Sequence, residues 1–274
     1  MIPQNLLTKR LHMLEKYMLP TLLLLLGGVG CKQAVEAPTD IEEMMNFGFS
    51  HFSGDAENLE ALSYNLFPFV DDHLEEAETG WQVNSLSVDD LAMAEIEKDS
   101  AEDIVGAAAS VPYRSTVDQV VTAISWPNKS EVLKNVKEYD ILRSDDLECF
   151  LSHECTEFEM EVRQVAKASI LGDATQVMVF QFRWITREED GEVFFAMRSL
   201  CPNGVDFSTD IAKVIQQYSF ALVYPEQEHA RRMEAFWVDG KIIGMNVPED
   251  YAVNQAISAM NKSAEEIDEF TESQ

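Results

Sequence analysis

The chain has 274 residues, of which 49 are acidic and 20 are basic, so its net charge at neutral pH is −29. A surface with this excess of carboxylates repels nucleic acid and anionic lipid head groups, which excludes an ordinary nucleic-acid-binding protein. With 46% hydrophobic residues, a chain of this length can bury one large core or two small ones.

The first thirty residues have the three parts of a secretory signal peptide. Lys9, Arg10 and Lys16 precede a mostly apolar run over 18–26, and small residues follow that run up to Cys31. An apolar part of about a dozen residues is shorter than the roughly twenty that a membrane-spanning helix needs. We therefore predict that residues 1–30 are an export signal rather than a stable transmembrane anchor.

The end of this leader, Gly28-Val29-Gly30-Cys31, resembles the lipobox of bacterial lipoproteins, with Gly28 where that family usually has Leu. The resemblance implies that acyl chains on Cys31 hold the protein at a membrane, because each buried methylene contributes about 0.8 kcal/mol. By the same resemblance, Lys32 after the cysteine implies the outer membrane, on its periplasmic or surface side. The alternative is an ordinary signal-peptidase site, which also uses small residues at these positions.

Behind the leader we expect the lipidated cysteine and a polar tether over residues 31–56, and then one domain over 57–274. Three cysteines follow the acylated one, and an exported protein lies in an oxidising compartment, so one disulfide and one thiol are expected. Cys149 and Cys155 can pair only across a turn, because six extended positions span about 20 Å. Pairing of either with Cys201 is the alternative. His153 between them lacks further ligands at zinc spacing, so no metal is predicted.

Helical patterns dominate the first half of the chain. Residues 41–78 have apolar side chains at helical spacing, and an extended stretch begins at Trp81. Residues 105–113 are small and apolar, which predicts a strand. Thr116 and Gln119 form a capping-box pattern that begins a helix, and a short helix over 130–136 follows.

From Thr156 onward the apolar period changes to two, which predicts strands. We expect a hairpin at 187–191, a helical turn over 210–216, two further strands over 218–224 and 231–238, and a tight turn at Asp239-Gly240. A long helix from Pro248 closes the chain. Its apolar stripe consists of Val253, Ile257, Met260, Ala264 and Ile267.

Three segments in this order of elements resemble the START-type helix-grip, or SRPBCC-like, domains. They are Gly80–Val83, the pair Ser115–Val120 and Asn135–Glu138, and Pro248–Asn254. The resemblance covers roughly Asn58 to Glu272. It implies an α+β fold in which a curved antiparallel β-sheet wraps around a long C-terminal helix.

Members of that family bind a hydrophobic molecule, often a lipid, between the sheet and the helix. The resemblance implies a lining of strand and helix residues, namely Met178, Phe180, Phe182, Trp184, Val253, Ile257 and Met260. The opposite face of the same strands, with the same helix residues, is the alternative lining. Arg183 and Arg198 either mark a polar handle inside such a cavity or point to solvent and meet the excess acid. The alternative for the apolar residues is that they simply fill a core.

Motifs of enzymes are missing from the sequence, which has no nucleophile elbow, glycine-rich phosphate loop or zinc-protease helix. We therefore expect no cofactor and consider two functions. The first is an exported, lipid-anchored protein that holds a hydrophobic or lipid ligand between sheet and helix. The second is a non-catalytic periplasmic or surface interaction lipoprotein with a packed core and no cavity. An enzyme of the same fold is a distant third.

Overall fold

The computed structural model describes residues 36–97, 101, 104–168, 171–242 and 249–274. The predicted leader 1–30, the predicted acylation site Cys31 and the predicted helix start at Pro248 lie outside these residues. Residues Glu36–Gln274 form one compact unit.

Four helices and the short first strand of the sheet come first in the chain. They are α1 (Ile41–Ser50), α2 (Ala56–Asp72), α3 (Leu74–Thr79), β1 (Trp81–Val83) and α4 (Val88–Met93). Asp40 begins α1 because its side chain accepts a hydrogen bond from the backbone N–H of Glu42. Ser87 and Asp90 form a capping box that begins α4.

Helix α1 corrects the predicted tether over residues 31–56. Its side chains Met44, Met45 and Phe49 have no exposed surface and pack in the same core as α2 and the sheet. The hydrophobic residues of this segment therefore bring it into the folded body, which begins at Glu36 instead of residue 57.

One antiparallel sheet contains the nine strands of the described residues. Eight follow the order β1-β2-β9-β8-β6-β5-β4-β3, and β7 pairs with β5 and β8. The strands after β1 are β2 (Val105–Pro112), β3 (Val136–Ser144), β4 (Glu157–Lys167), β5 (Asp173–Thr186), β6 (Val193–Cys201), β7 (Val205–Phe207), β8 (Ala212–Glu226) and β9 (His229–Ile242).

Four more helices complete the domain: α5 (Val117–Ile124), α6 (Lys129–Val132), α7 (Leu147–Leu151) and the long C-terminal α8 (Glu249–Glu272). The capping box of Thr116 and Gln119 begins α5, as the sequence predicts. Helix α8 packs on β2 and against α5 and α6. The antiparallel sheet with its long closing helix confirms the predicted helix-grip fold class.

The alternation of side chains along the strands gives the sheet two apolar faces, and both are buried. The inner face, which includes Phe158, Phe182 and Met197, packs with α5, α7 and α8. The outer face, which includes Phe220 and Trp237, packs under α1 to α4. The site described below lies on the inner face.

Two local predictions are wrong, and long-range pairing explains both. Residues 210–216 were expected to form a helical turn, but β8 begins at Ala212. The predicted tight turn at Asp239-Gly240 is instead part of β9, where Asp239 pairs with Gln216 and Gly240 with Val214 across a bulge. Partners that are distant in sequence override the local turn preference. Strand β3 and helix α7 were not predicted.

Helix α8 is fastened near its C-terminal end by Asp268, whose side chain is 3% exposed. Its carboxylate accepts hydrogen bonds from the backbone N–H of Arg114, at 3.0 and 3.1 Å, and from Ser115 Oγ at 3.0 Å. These groups belong to the turn between β2 and α5. One buried carboxylate therefore joins the closing helix to the sheet and to α5.

We expect Asp268→Ala to lower the free energy of unfolding by about 3 kcal/mol, because it leaves buried donors without an acceptor. Urea denaturation measures the change. The control is Glu272→Ala, which removes an exposed pairing to Arg114 Nε at 2.6 Å and should cost less than about 1 kcal/mol. Equal losses in the two variants would contradict the assigned role of Asp268.

Candidate functional site

A pocket of about 310 Å³ lies on the inner face of the sheet, between the strands and α8. Its apolar wall includes Met178, Phe180, Met197, Phe236 and Met260. A volume of about 300 Å³ is at the lower end of the range for small-molecule sites, which are mostly apolar with a few polar groups. The pocket therefore has the size and the lining of a site for a small ligand.

Small residues on both sides create this space. Ser199 on β6 and Ser219 on β8 face each other in the sheet, and their hydroxyls are 2.7 Å apart in a hydrogen bond. They lie between Phe180 on β5 and Phe236 on β9 in one row across the strands. The opposite wall on α8 is also small, with Ala256, Ala259 and Ser263. Larger side chains at these positions would close the pocket.

The other end of the inner face is filled by aromatic rings. Phe150 of α7 lies 5.4 Å from Phe158, and Phe182 lies 5.6 Å from Phe195, measured between ring centroids. Trp184 Nε1 donates a hydrogen bond to the carbonyl of Phe150 at 3.1 Å. This end of the inner face is therefore part of the hydrophobic core. The pocket begins at the two serines, beyond the last aromatic residues.

A disulfide bond joins Cys149 and Cys155, which flank the turn that follows α7. Their Cα atoms are 5.3 Å apart, so the chain makes the turn that this pairing requires. The bond closes the segment that carries Phe150 into the aromatic core. Cys201 lies elsewhere, buried in β6, with its thiol 3.1 Å from the carbonyl oxygen of Gly204.

Lys129 is a buried cation in the pocket wall. Its Nζ donates hydrogen bonds to the carbonyls of Ala123 and Ile124, at 2.9 and 2.5 Å, in the last turn of α5. These carbonyls and the negative end of the helix stabilise the ammonium. Burial acts in the opposite direction and, with the charge of Arg232, lowers the pKa of Lys129 to about 7.

Arg232 on β9 is the second buried cation of the pocket, with 3% of its surface exposed. Its Nη2 donates to the carbonyl of Met260 at 3.2 Å, and its guanidinium lies 5.6 Å from the ring centroid of Tyr113. Its Nε is 3.3 Å from a carboxylate oxygen of Glu234 but lacks a hydrogen-bond partner. Burial disfavours the charge of Arg232, but the charge interactions with Glu234 and Tyr113 together outweigh burial, and the pKa of Arg232 is raised.

The structure brings three of the predicted ligand residues to this pocket, Met178, Phe180 and Met260. Phe182 and Trp184 share their face of the sheet but pack in the aromatic core. Ile257 of α8 is buried near Gly80, where a side chain on the glycine would meet its methyl group. Val253 packs on the edge of the same core, outside the pocket.

The two arginines predicted to face either a cavity or solvent differ. Arg183 lines a cleft on the outer side of the sheet and pairs with the exposed Glu157 at 2.9 Å, so it meets part of the excess acid, whereas Arg198 faces neither the pocket nor solvent. Arg198 is 1% exposed and points to the outer face, where it donates to the carbonyl of Phe49, to Ser53 Oγ and to Gln181 Oε1. Arg183 donates to the carbonyls of Phe52 and Gly54. Side chains alternate between the two faces along a strand. The two arginines therefore lie on the outer face, whereas their neighbours Phe182 and Met197 lie on the inner face. They hold the connection between α1 and α2.

Sequence reasoning missed the pocket cations and the small residues. The sequence did contain a sign of Arg232 and Glu234. These charged residues are two positions apart in a strand, so they share one face with Phe236. Lys129 carried none, since a lysine in a four-residue helix reads as an exposed residue. Its burial results from the packing of α6 against α8 and β3.

No group of three or more His, Cys, Asp or Glu side chains in the described part of the chain is arranged to hold a metal ion. No described helix is both long enough and apolar enough to cross a membrane.

No family model and no curated protein matches the sequence. Solved structures do match. The lipid transfer and protein localization domain of human StarD13 has 11% identity and a TM-score of 0.42, over 75% of this chain and 97% of that one. A START superfamily protein from Mycobacterium smegmatis has 11% identity and a TM-score of 0.38, over 61% and 97%. Human STARD10 has 9% identity and a TM-score of 0.37, over 73% and 78%.

The lowered pKa of Lys129 makes stability depend on pH. The unfolded lysine has its ordinary pKa of 10.5 and the folded one a pKa of about 7, so the unfolded state binds more protons between these values. Stability therefore rises with pH across that window, by about 2 kcal/mol from pH 7 to pH 9 relative to Lys129→Met. Urea denaturation at the two pH values measures this difference.

Lys134→Met is the matched control, because Lys134 is exposed and pairs with Glu269. It should show the same pH dependence as the wild-type protein. If Lys129→Met also kept the wild-type pH dependence, Lys129 would not titrate as a buried group.

Proposed function

We propose that this chain is a binding protein that holds an apolar or amphipathic molecule in the pocket between the sheet and α8. The observation that carries the proposal is the change of composition along the inner face. Rings fill one end of this face, whereas Ser199, Ser219 and Ala256 leave about 310 Å³ open at the other. Apolar walls with a few polar groups suit a molecule that has both kinds of surface.

The alternative is an interaction protein with a packed core and no cavity. The part of the outer face under α1 to α4 fits that description, because fully buried side chains of these helices cover it. The inner face does not, since the serine row lies opposite alanines of α8 in place of the large residues that fill the rest. The pocket thus favours the binding protein.

We further propose, from the sequence, that the protein is exported and held at a membrane by acyl chains on Cys31. The basic, apolar and small-residue parts of residues 1–30 support export, and Gly28–Cys31 supports acylation. The net charge of −29 keeps the domain away from anionic head groups while the anchor holds it near them. A ligand carried by such a protein is one found in the cell envelope.

A bulky side chain in the pocket should abolish ligand binding. We expect Ala256→Trp to reduce binding of a fluorescent fatty acid or sterol at least about tenfold, because the indole fills the space beside Phe236. Fluorescence titration and native mass spectrometry of co-purified ligand measure the change. Gln255→Trp, on the exposed side of α8, should bind like the wild-type protein. Uptake of neither probe by the wild-type protein, and no co-purified ligand, would overturn the proposed function.

Mass analysis of the mature N-terminus tests the anchor. In a bacterial host that processes lipoproteins, we expect the chain to begin at Cys31 with a mass increased by acyl chains, and to fractionate with the outer membrane. Cys31→Ser should lose both properties. An unmodified N-terminus at Cys31, or an intact leader, would contradict the lipoprotein interpretation.

A further inference from the structure

The pocket carries an excess of positive charge inside a strongly acidic protein. Its wall contains Lys129 and Arg232, which are 8% and 3% exposed, and its lining has one carboxylate, that of Glu234. Over the whole chain, by contrast, acidic residues outnumber basic ones by 49 to 20. The charge of the pocket lining thus has the opposite sign to that of the chain as a whole.

The hydrogen bonds of the two cations leave donors free. An ammonium has three N–H groups, and Lys129 directs two of them to the end of α5. A guanidinium has five, and among the described residues Arg232 makes one hydrogen bond, to the carbonyl of Met260. The buried Nε of Arg232 has no hydrogen-bond partner, although Glu234 is near. Buried donors normally find acceptors, so these groups point to an acceptor supplied by a ligand.

The charges also set the valence of that ligand. With Lys129 protonated, two cations and one carboxylate leave a single positive charge in the pocket wall. Burying that charge without a counter-ion is costly, and a monoanion would balance it. The apolar side chains Met178, Phe180 and Phe236 belong to the same pocket and would hold a hydrocarbon portion.

We propose that Lys129 and Arg232 bind the carboxylate head group of an amphipathic ligand, whose hydrocarbon part lies against the apolar wall. This proposal rests on the function proposed above and names its ligand class, a small aliphatic carboxylic acid. The planar guanidinium can donate two parallel hydrogen bonds to a carboxylate, and the ammonium adds a third. Ser199 and Ser219 bond to each other and lie in the floor of the pocket.

The test compares amphiphiles that share one chain length and differ in head group. Dodecanoate, dodecanol, dodecylamine and dodecyl phosphate are titrated by calorimetry, below their micelle concentrations, into protein purified after expression of the full chain. We expect dodecanoate to bind at least about tenfold more tightly than dodecanol, and dodecylamine to bind most weakly.

The variants assign this preference to the two cations. Lys129→Met and Arg232→Met should each weaken dodecanoate at least about tenfold and change dodecanol less than about threefold. Lys134→Met, an exposed lysine outside the pocket, should change neither. If Arg232→Met does not fold, Arg232→Lys keeps the charge but loses the planar fork, and should still weaken dodecanoate more than dodecanol.

Each outcome has a separate meaning. Binding of none of the four amphiphiles would overturn the proposed function. Equal binding of dodecanol and dodecanoate would overturn the carboxylate site and leave the binding function standing. Tighter binding of dodecyl phosphate than of dodecanoate would overturn the assignment to a carboxylate.

Discussion

The fold depends on one constraint, which is that a single antiparallel sheet must bury both of its faces. Alternating side chains give each strand two apolar surfaces, so helices are needed on both sides. The N-terminal helices α1 to α4 cover the outer face, and α5, α7 and α8 cover the inner one. The part of the outer face under α1 and α2 is packed by Phe49, Phe67 and Leu62 among others. The inner face, where α8 lies over the serine row, holds the mostly apolar pocket described above.

Buried arginines on the two faces differ in how many of their hydrogen-bond donors the fold uses. Arg198 makes four hydrogen bonds and lies over the rings of Phe49 and Phe52, at 5.5 and 5.0 Å. Its donors are used by the fold. Arg232 is as deeply buried but makes one hydrogen bond among the described residues. Burial alone therefore does not identify a binding residue, and the donors that remain after the fold is satisfied do.

The single elements whose order carries the family resemblance could be predicted from sequence, because they depend on local patterns. The alternation from Phe158 onward, the capping box at Thr116 and the stripe of α8 each act over a few residues. The exact strand ends could not be predicted from sequence. Strand β9 continues through Asp239 because Asp239 pairs with Gln216 of β8. The pocket was the feature least predictable from sequence. Phe180 and Phe182 are two residues apart on one face, yet one lines the pocket and the other fills the core, because their neighbours across the sheet differ: Ser199 beside Phe180 and Met197 beside Phe182.

Two energetic costs meet at this pocket and are hard to explain by folding alone. Small residues at Ser199, Ser219 and Ala259 forgo the apolar burial that leucine or methionine would add at about 25 cal/mol per Å². Lys129 and Arg232 bury charge whose donors the fold does not fully use. Apolar side chains of similar size at both positions would remove the second cost and reduce the first. Departures of this kind from good packing are concentrated at functional sites, and a carboxylate with a hydrocarbon chain would offset both costs at once.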